Sequence, residues 1–328
     1  MDVQSLLTSP CCGGTLNIDH SGYTCAICGL SFPLEGGIPR MLVSDNRDPR
    51  TGQVTDKIRS FYEETPFPDY EHLEDTASLI NKARGGMLAR LLDEQLPHGI
   101  QVLEAGCGTG QLSNFLSVAN RDVIGADLSM ASLTLAEEFR RRNALNRARF
   151  VQMNLFQPCF ANETFHAIIS NGVLHHTGNP AGGIARLAQL LKPGGYLIIG
   201  LYHRFGRLAT DARRTIFRLT GERMRFLDRR AVSRDLGDKR QEAWFNDQYR
   251  NPHESKHTIS EAATFFEKAG LKVLRSLPSR SWSPDPGDNL FEEEPISGRA
   301  TFAKEITFAL RPSQIAEGGF FVLVGQRQ

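Results

Sequence analysis

Near residue 100 an apolar run beginning Val102-Leu103 meets glycines at 106, 108 and 110, the pattern of a buried strand entering a tight turn. Beyond the turn, Leu112, Phe115, Leu116 and Ala119 recur at the i, i+3, i+4, i+7 spacing of a helix face. Residues 123–126 read as a second strand closed by Asp127, and short apolar runs at 150–153 and 167–170 read as the third and fourth. Asn179-Pro180 opens a helix with a capping residue and proline in its first turn, and Ile184, Leu187 and Leu191 mark its buried face. Lys192-Pro193-Gly194-Gly195 predicts a turn before a fifth strand at 196–200. A helix is expected over 260–269, capped by Ser260, with Ala262, Phe265, Phe266 and Ala269 inward and Gly270 ending it. Residues 271–277 and 319–325 then supply a sixth strand and an antiparallel seventh.

The glycine register decides what such a turn holds. A dinucleotide fingerprint reads G-x-G-x-x-G. Gly106, Gly108 and Gly110 alternate with single residues, so the third glycine arrives one position early and the match fails. Glu104 precedes the first glycine by two residues, and a carboxylate aimed into the crevice repels a pyrophosphate but attracts an ammonium. Asp127, at the end of the neighbouring strand, is placed to accept both hydroxyls of a ribose. The plainer readings are a structural glycine turn and an ordinary helix-start acid.

These residues resemble the class I S-adenosylmethionine-dependent methyltransferases, whose E/D-x-G-x-G-x-G motif is met by Glu104-Ala-Gly106-Cys107-Gly108-Thr-Gly110. The likeness continues through Asp127-Leu128-Ser129, Met153-Asn154-Leu155, Ser170-Asn171-Gly172-Val173-Leu174-His175-His176 and Leu191-Lys192-Pro193-Gly194-Gly195, covering roughly residues 75–203, with weaker similarity at the C-terminus. It implies a Rossmann-like α/β fold, a seven-stranded mostly parallel sheet with an antiparallel last strand. It also implies an S-adenosylmethionine site drawing on Glu104, Gly106, Cys107, Gly108, Gly110, Asp127, Leu128, Asn154, Leu155 and Asn171. Asn154 departs from the family's frequent Asp, although its amide oxygen can still meet an adenine amino group.

With 328 residues there is room for such a core plus additions, and a net charge of +1 announces neither nucleic acid nor membrane. No run approaches the ~18 apolar residues of a membrane span, and the N-terminus lacks a basic-then-apolar signal, so a soluble cytoplasmic protein is expected. In a reducing compartment the crowding of Cys11, Cys12, Cys25 and Cys28 argues for metal rather than disulfides. Cys25-Ala-Ile-Cys28 is a regular knuckle, whereas Ser9-Pro10-Cys11-Cys12 has serine where a first thiolate would stand. This segment, through residues 34–42, resembles the short zinc-ribbon family that includes the small activator of tRNA and rRNA methyltransferases. A structural zinc would take Cys12, Cys25 and Cys28, with Cys11 or His20 as fourth ligand. The alternative is a degenerate ribbon held by Ile18, Tyr23, Phe32 and Ile38.

The expected organisation is a zinc-ribbon-like module over 1–44, a linker and lid arm over 45–75, and a methyltransferase domain over 76–328 carrying an inserted helical cap at 204–257. In the arm, Phe61, Tyr62, Phe67 and Tyr70 either fold over the cofactor or staple the arm to the core. Between Arg204 and Arg240 twelve Lys or Arg face five acids, an excess of seven that suits RNA phosphates, an acidic small molecule, or simply the wet face of the cap. The stretch from Trp244 to Thr258 is dense in proton-bonding side chains without an amphipathic period, so Tyr62, Trp244, Tyr249, His253 and His257 are the expected substrate contacts. The connection 278–318 is long for a hairpin.

Methyl transfer from a sulfonium is an in-line displacement, in which the protein mainly aligns the acceptor and excludes water. A hydroxyl or protonated amine acceptor also needs a base. His176, His175, His203 and Tyr202 are suited by type and by position after the fourth and fifth strands, unless the two adjacent histidines merely cap the crevice. The expectation is therefore methyl transfer to a small-molecule acceptor. RNA, a non-catalytic cofactor-binding regulatory role, and last an NAD-linked oxidoreductase are the alternatives.

Overall fold

A computed structural model describes residues 4–43, 49–68, 70, 73–232, 238–277, 288–294, 301, 302, 304–306, 308 and 319–328. Four short N-terminal strands, β1 (Leu16–Asp19), β2 (Gly22–Cys25), β3 (Ser31–Glu35) and β4 (Ile38–Met41), form the ribbon. The arm helix α1 (Pro49–Glu64) and the pair α2 (Thr76–Gly85) and α3 (Met87–Gln95) lead into β5 (Gln101–Ala105). There follow α4 (Gln111–Val118), β6 (Asp122–Asp127), α5 (Met130–Arg142), β7 (Ala148–Met153), β8 (Phe165–Asn171), α6 (Pro180–Leu190) and β9 (Leu191–Tyr202). The cap contributes α7 (Leu208–Leu219) and α8 (Asp238–Phe245), and α9 (Ile259–Lys268), β10 (Leu271–Leu277) and β11 (Phe320–Arg327) close the domain.

The sheet runs β7-β6-β5-β8-β9-β11-β10, parallel except for β11, which pairs antiparallel with both β9 and β10. This is the Rossmann-like methyltransferase fold. Both faces are covered, so successive residues of one strand enter different cores. Leu103, Ala105, Ile124 and Ala126 pack on the side of α6 and α9, while Val102 and Val123 pack on the side of α3 and α4.

The sheet does not stop at seven strands. β4 pairs parallel with β7 through Arg40↔Gln152 and Met41↔Met153, and β3, β2 and β1 continue outward, giving eleven strands. Leu7, Tyr23, Cys25, Phe32 and Met41 share one buried cluster with the strands of the domain. The parallel pairing covers an edge that β7 would otherwise present.

Two local expectations are corrected. Lys192–Gly195 does not end in a free turn but lies inside β9, where a register irregularity against β8 and a left-handed Gly194 (φ 76°) absorb the extra residues. The cap of α9 is Thr258, which accepts from Glu261 N at 3.1 Å, rather than Ser260. Asn179 does cap α6, accepting from Gly182 N at 2.9 Å. Residues 45–48 of the expected linker, and most of 278–318, lie outside the described residues.

Candidate active site

The chain leaves β5 through three left-handed glycines, Gly106 (φ 79°), Gly108 (φ 52°) and Gly110 (φ 70°), conformations in which a Cβ is strained. A Cβ at Gly108 would also run into the Phe67 carbonyl. Asp127 fastens the turn from the next strand: its Oδ2 accepts from Gly108 N at 2.8 Å and its Oδ1 from Ser129 N at 2.9 Å. Glu104 is buried one strand over, its Oε2 accepting from Ser113 Oγ of α4 at 2.5 Å.

Two carboxylates thus meet at the carboxyl edge of adjacent strands with no cation paired to either among the described residues. Burial first, offset by the Ser113 bonds, and then repulsion from Asp127 push the Glu104 carboxyl up to about 8. The Asp127 carboxyl is raised as well, by burial first, against the pull of the amides of Ser129, Gly108 and Leu128. Beside them lies the buried Cys107, whose thiol burial raises well above its ordinary range, while Leu155 is buried next to Gly183 of α6. Asn154 Oδ1 accepts from Phe156 N at 3.0 Å, the Leu128 carbonyl from Gln152 Nε2 at 2.8 Å, and Asn171 ends β8.

The arm lies directly against this turn. Thr109 Oγ1 donates to the Pro68 carbonyl at 2.5 Å, the Tyr70 hydroxyl to the Thr109 carbonyl at 2.8 Å, and Tyr70 stacks on Phe139 at 4.7 Å. Glu63, which sequence reasoning missed, caps α5 by accepting from Met130 N and Ala131 N at 2.8 and 2.9 Å. Ser129 Oγ donates to the Tyr62 carbonyl at 3.1 Å. The arm is both staple and wall.

From Tyr62 the site passes into the cap. The Tyr62 hydroxyl donates to Asp247 Oδ1 at 2.8 Å and receives Asn251 Nδ2 at 3.1 Å. Gln248 Nε2 donates to the Tyr202 hydroxyl at 2.8 Å and to Asp247 Oδ2 at 2.9 Å. His176 joins the group edge-on to Tyr62, with ring centroids 6.5 Å apart. Its Nδ1 lies 2.8 Å from the His253 carbonyl, which can only accept, so Nδ1 carries the proton and Nε2 keeps its lone pair. Burial lowers the His176 pKa and keeps the ring neutral.

The other expected residues are placed differently. His175 is wholly buried between His176 and Tyr202, and neither ring nitrogen has a well-formed partner among the described residues. His203 stacks on Phe308 at 4.2 Å, and burial lowers its pKa to about 4. Trp244 and Tyr249 pack in the cap's own core with Phe217 and Phe245, and the Tyr249 hydroxyl bonds to Asp228. His257 Nε2 meets Ser255 Oγ at 2.9 Å. The polar density of this stretch is spent largely within the cap: Glu254 pairs with the fully buried Arg207 at 2.7 Å and with Arg214 at 2.8 Å, and Arg207 lies over the Tyr202 ring at 3.8 Å.

Among the described residues, part of the basic block is paired internally in the same way. Arg204 pairs with Glu261, Arg213 with Asp228, and Arg225 with Glu222 and Glu242. No helix among the described residues is long and apolar enough to cross a membrane.

In the ribbon, the sulfurs of Cys12, Cys25 and Cys28 lie within 4.8 Å of one another. Amides of Ile27 and Cys28 point at Cys25 Sγ from 3.4 and 3.5 Å and lower its pKa to about 6 against the cost of burial, as suits a thiolate ligand. Neither Cys11 nor His20, the two residues expected as a fourth ligand, joins that cluster.

Residues 103–199 match the family model described as a methyltransferase domain. An uncharacterized protein of Synechococcus sp. is 30% identical over 209 residues, 56% of this chain and 50% of that one. A ubiquinone biosynthesis O-methyltransferase of Aliivibrio fischeri is 32% identical over 110 residues, 32% of this chain and 45% of that one. The matched stretches thus span about half the length of these curated relatives. Among solved structures, the complex between the Haloferax volcanii Trm112 methyltransferase activator and a putative methyltransferase aligns with 13% identity and a TM-score of 0.49, covering 82% of this chain and 96% of that chain.

Proposed function

We propose that this chain is an S-adenosylmethionine-dependent methyltransferase acting on a small-molecule acceptor. The observation that carries the reading is the pair of carboxylates, Glu104 and Asp127, gathered beside the glycine turn where burial holds both pKa values up. Such a pocket favours a ligand bearing an ammonium and vicinal hydroxyls over one bearing phosphates. Glu104 would hold the ammonium of the amino-acid tail, Asp127 the ribose hydroxyls, and Asn154 and Leu155 the adenine edge. When bound, S-adenosylmethionine supplies an activated methyl group on its sulfonium.

The chain's own residues do the rest. Phe67, Pro68 and Tyr70 wall the turn, so the arm excludes water. Tyr62, Asp247, Gln248 and Tyr202 form a polar chamber for the acceptor, and His176 Nε2 takes its proton. The internal pairing of Arg204, Arg207, Arg213, Arg214 and Arg225 favours a small molecule over RNA. The ribbon holds a structural zinc through Cys12, Cys25 and Cys28, which cross-links its two turns.

The test is incubation of the purified chain with methyl-labelled S-adenosylmethionine and separated metabolite, protein and RNA fractions. Label is expected in the metabolite fraction. Transfer to RNA would replace the acceptor class, and transfer to none of the three would overturn the reading.

A further inference from the structure

The two turns of the ribbon, residues 9–14 and 25–30, repeat one backbone pattern. In each, the first residue's amide donates to the carbonyl five positions on: Ser9 N to Gly14 O and Cys25 N to Leu30 O, both at 2.9 Å. The first residue's carbonyl then receives the amide four positions on, Gly13 N at 2.8 Å and Gly29 N at 3.0 Å. The side-chain heteroatom of the first residue faces the amide two positions on, Cys11 N to Ser9 Oγ and Ile27 N to Cys25 Sγ, both at 3.4 Å. The glycine at the fourth place onward is left-handed in both, with φ of 72° at Gly13 and 71° at Gly29.

This repetition sets Ser9 against Cys25, Cys12 against Cys28, and Cys11 against Ile27. Ile27 carries no ligand atom and is 73% exposed, and its counterpart Cys11 stands outside the cluster of sulfurs. Ser9 is 1% exposed, and its Oγ lies 3.6 Å from Cys28 Sγ, while Cys12 Sγ lies 3.5 Å from Cys25 Sγ. A tetrahedral zinc with bonds of ~2.3 Å to sulfur and ~2.0 Å to oxygen has edges of roughly 3.8 Å between sulfurs and roughly 3.5 Å between sulfur and oxygen. The spacings found are close to those edges.

We propose that the ribbon metal is held by three thiolates and one hydroxyl, Cys12, Cys25, Cys28 and Ser9 Oγ, and that Cys11 takes no part. This rests on the reading that the ribbon binds a metal. A neutral hydroxyl is a weaker donor to zinc than a thiolate, so the Ser9 corner is the labile one and opens first to a competing ligand.

The experiment uses the full-length chain, with zinc affinity measured by competition with a chromophoric chelator and thiolate count by the charge-transfer absorption of the cobalt(II)-substituted protein. The wild type binds one metal. Ser9→Cys binds at least about tenfold tighter and raises the cobalt charge-transfer band by about a third, in proportion to thiolates. Ser9→Ala weakens binding, Cys12→Ser weakens it further, and Cys11→Ser leaves both readouts unchanged. The assignment is overturned if Cys11→Ser weakens binding as Cys12→Ser does, or if Ser9→Cys leaves affinity and absorption as they were. A wild type that takes up neither zinc nor cobalt overturns the metal reading itself, and this assignment with it.

Discussion

The Tyr62 hydroxyl donates a 2.8 Å hydrogen bond to the Asp247 carboxylate across 185 positions of sequence. That bond joins the arm to the cap, and the arm is in turn fixed to the start of α5 by Glu63 on the amides of Met130 and Ala131. Residues far apart in the chain are thereby joined into one contiguous group that runs from the start of α5 through the arm to Tyr62, Asp247 and His176.

Tyr62→Phe removes this bond and the one from Asn251, and leaves Asp247 with Gln248 as its side-chain partner among the described residues. A buried acceptor losing a partner costs on the order of 1–3 kcal/mol, so the variant should unfold at lower denaturant in equilibrium melts. Its kcat/KM should fall while S-adenosylhomocysteine affinity changes little, because the lost contact lies on the side proposed for the acceptor. A variant as stable and as active as the wild type would show that the bond organises nothing.

The Glu104 carboxyl titrates near 4.5 when unperturbed and at about 8 in the folded chain. Between those values the folded protein keeps a proton that the unfolded chain has released, so the stability of the ligand-free protein falls as pH rises from about 4.5 to about 8. Thermal melts across this window should show that slope, and Glu104→Gln should flatten it. Binding of an ammonium-bearing ligand should release a proton near pH 7, detectable as a binding heat that depends on the buffer. A ligand heat independent of buffer would place the ammonium elsewhere.

His176 has its pKa lowered by burial from the ordinary 6.5. As a base it is active when unprotonated, so the acid limb of the rate profile should fall below pH 6.5 and the rate should be flat above it. His176→Gln should cost roughly 10²–10⁴ in kcat and erase that limb. An unchanged profile in the variant would assign proton removal to another group or to solvent.

Much of this architecture was legible in the pattern of the chain. The strand, glycine turn and helix around residues 102–118, the Asn179 cap and the strand ends carrying Asp127 and Asn171 are local features, fixed by spacing and turn chemistry. Thr258 was legible too, because Thr258-Ile-Ser-Glu261 has the spacing of a capping box. The joining of β4 to β7 was not, since a parallel pairing over two residues leaves no periodic trace. Nor was the fate of Trp244 and Tyr249: their stretch is a helix with a π turn at Asn246–Arg250, which turns both aromatics inward and spends its charges on Arg207, Arg214 and Glu222. Asp247, Glu63 and Gln248 were missed because single polar residues gain meaning only from partners far along the chain.

Gly108→Ala places a methyl group against the Phe67 carbonyl and asks a non-glycine residue to adopt φ 52°. The left-handed backbone alone costs roughly 1–2 kcal/mol, and the clash pushes the arm off the turn. A lowered melting temperature and weaker S-adenosylhomocysteine binding are expected together. Unchanged binding would mean that the arm does not wall the cofactor.

The most direct measurement is a calorimetric titration of the purified chain with S-adenosylhomocysteine, beside the isosteric Asp127→Asn variant checked for folding by its melting curve. Hydrogen bonds to a charged group are worth about 1.5–3 kcal/mol, so the account predicts one site in the wild type and a loss of roughly ten- to hundredfold in affinity in the variant, with no heat from NAD. Absence of binding to the wild type, or equal affinity in a folded Asp127→Asn variant, would contradict it.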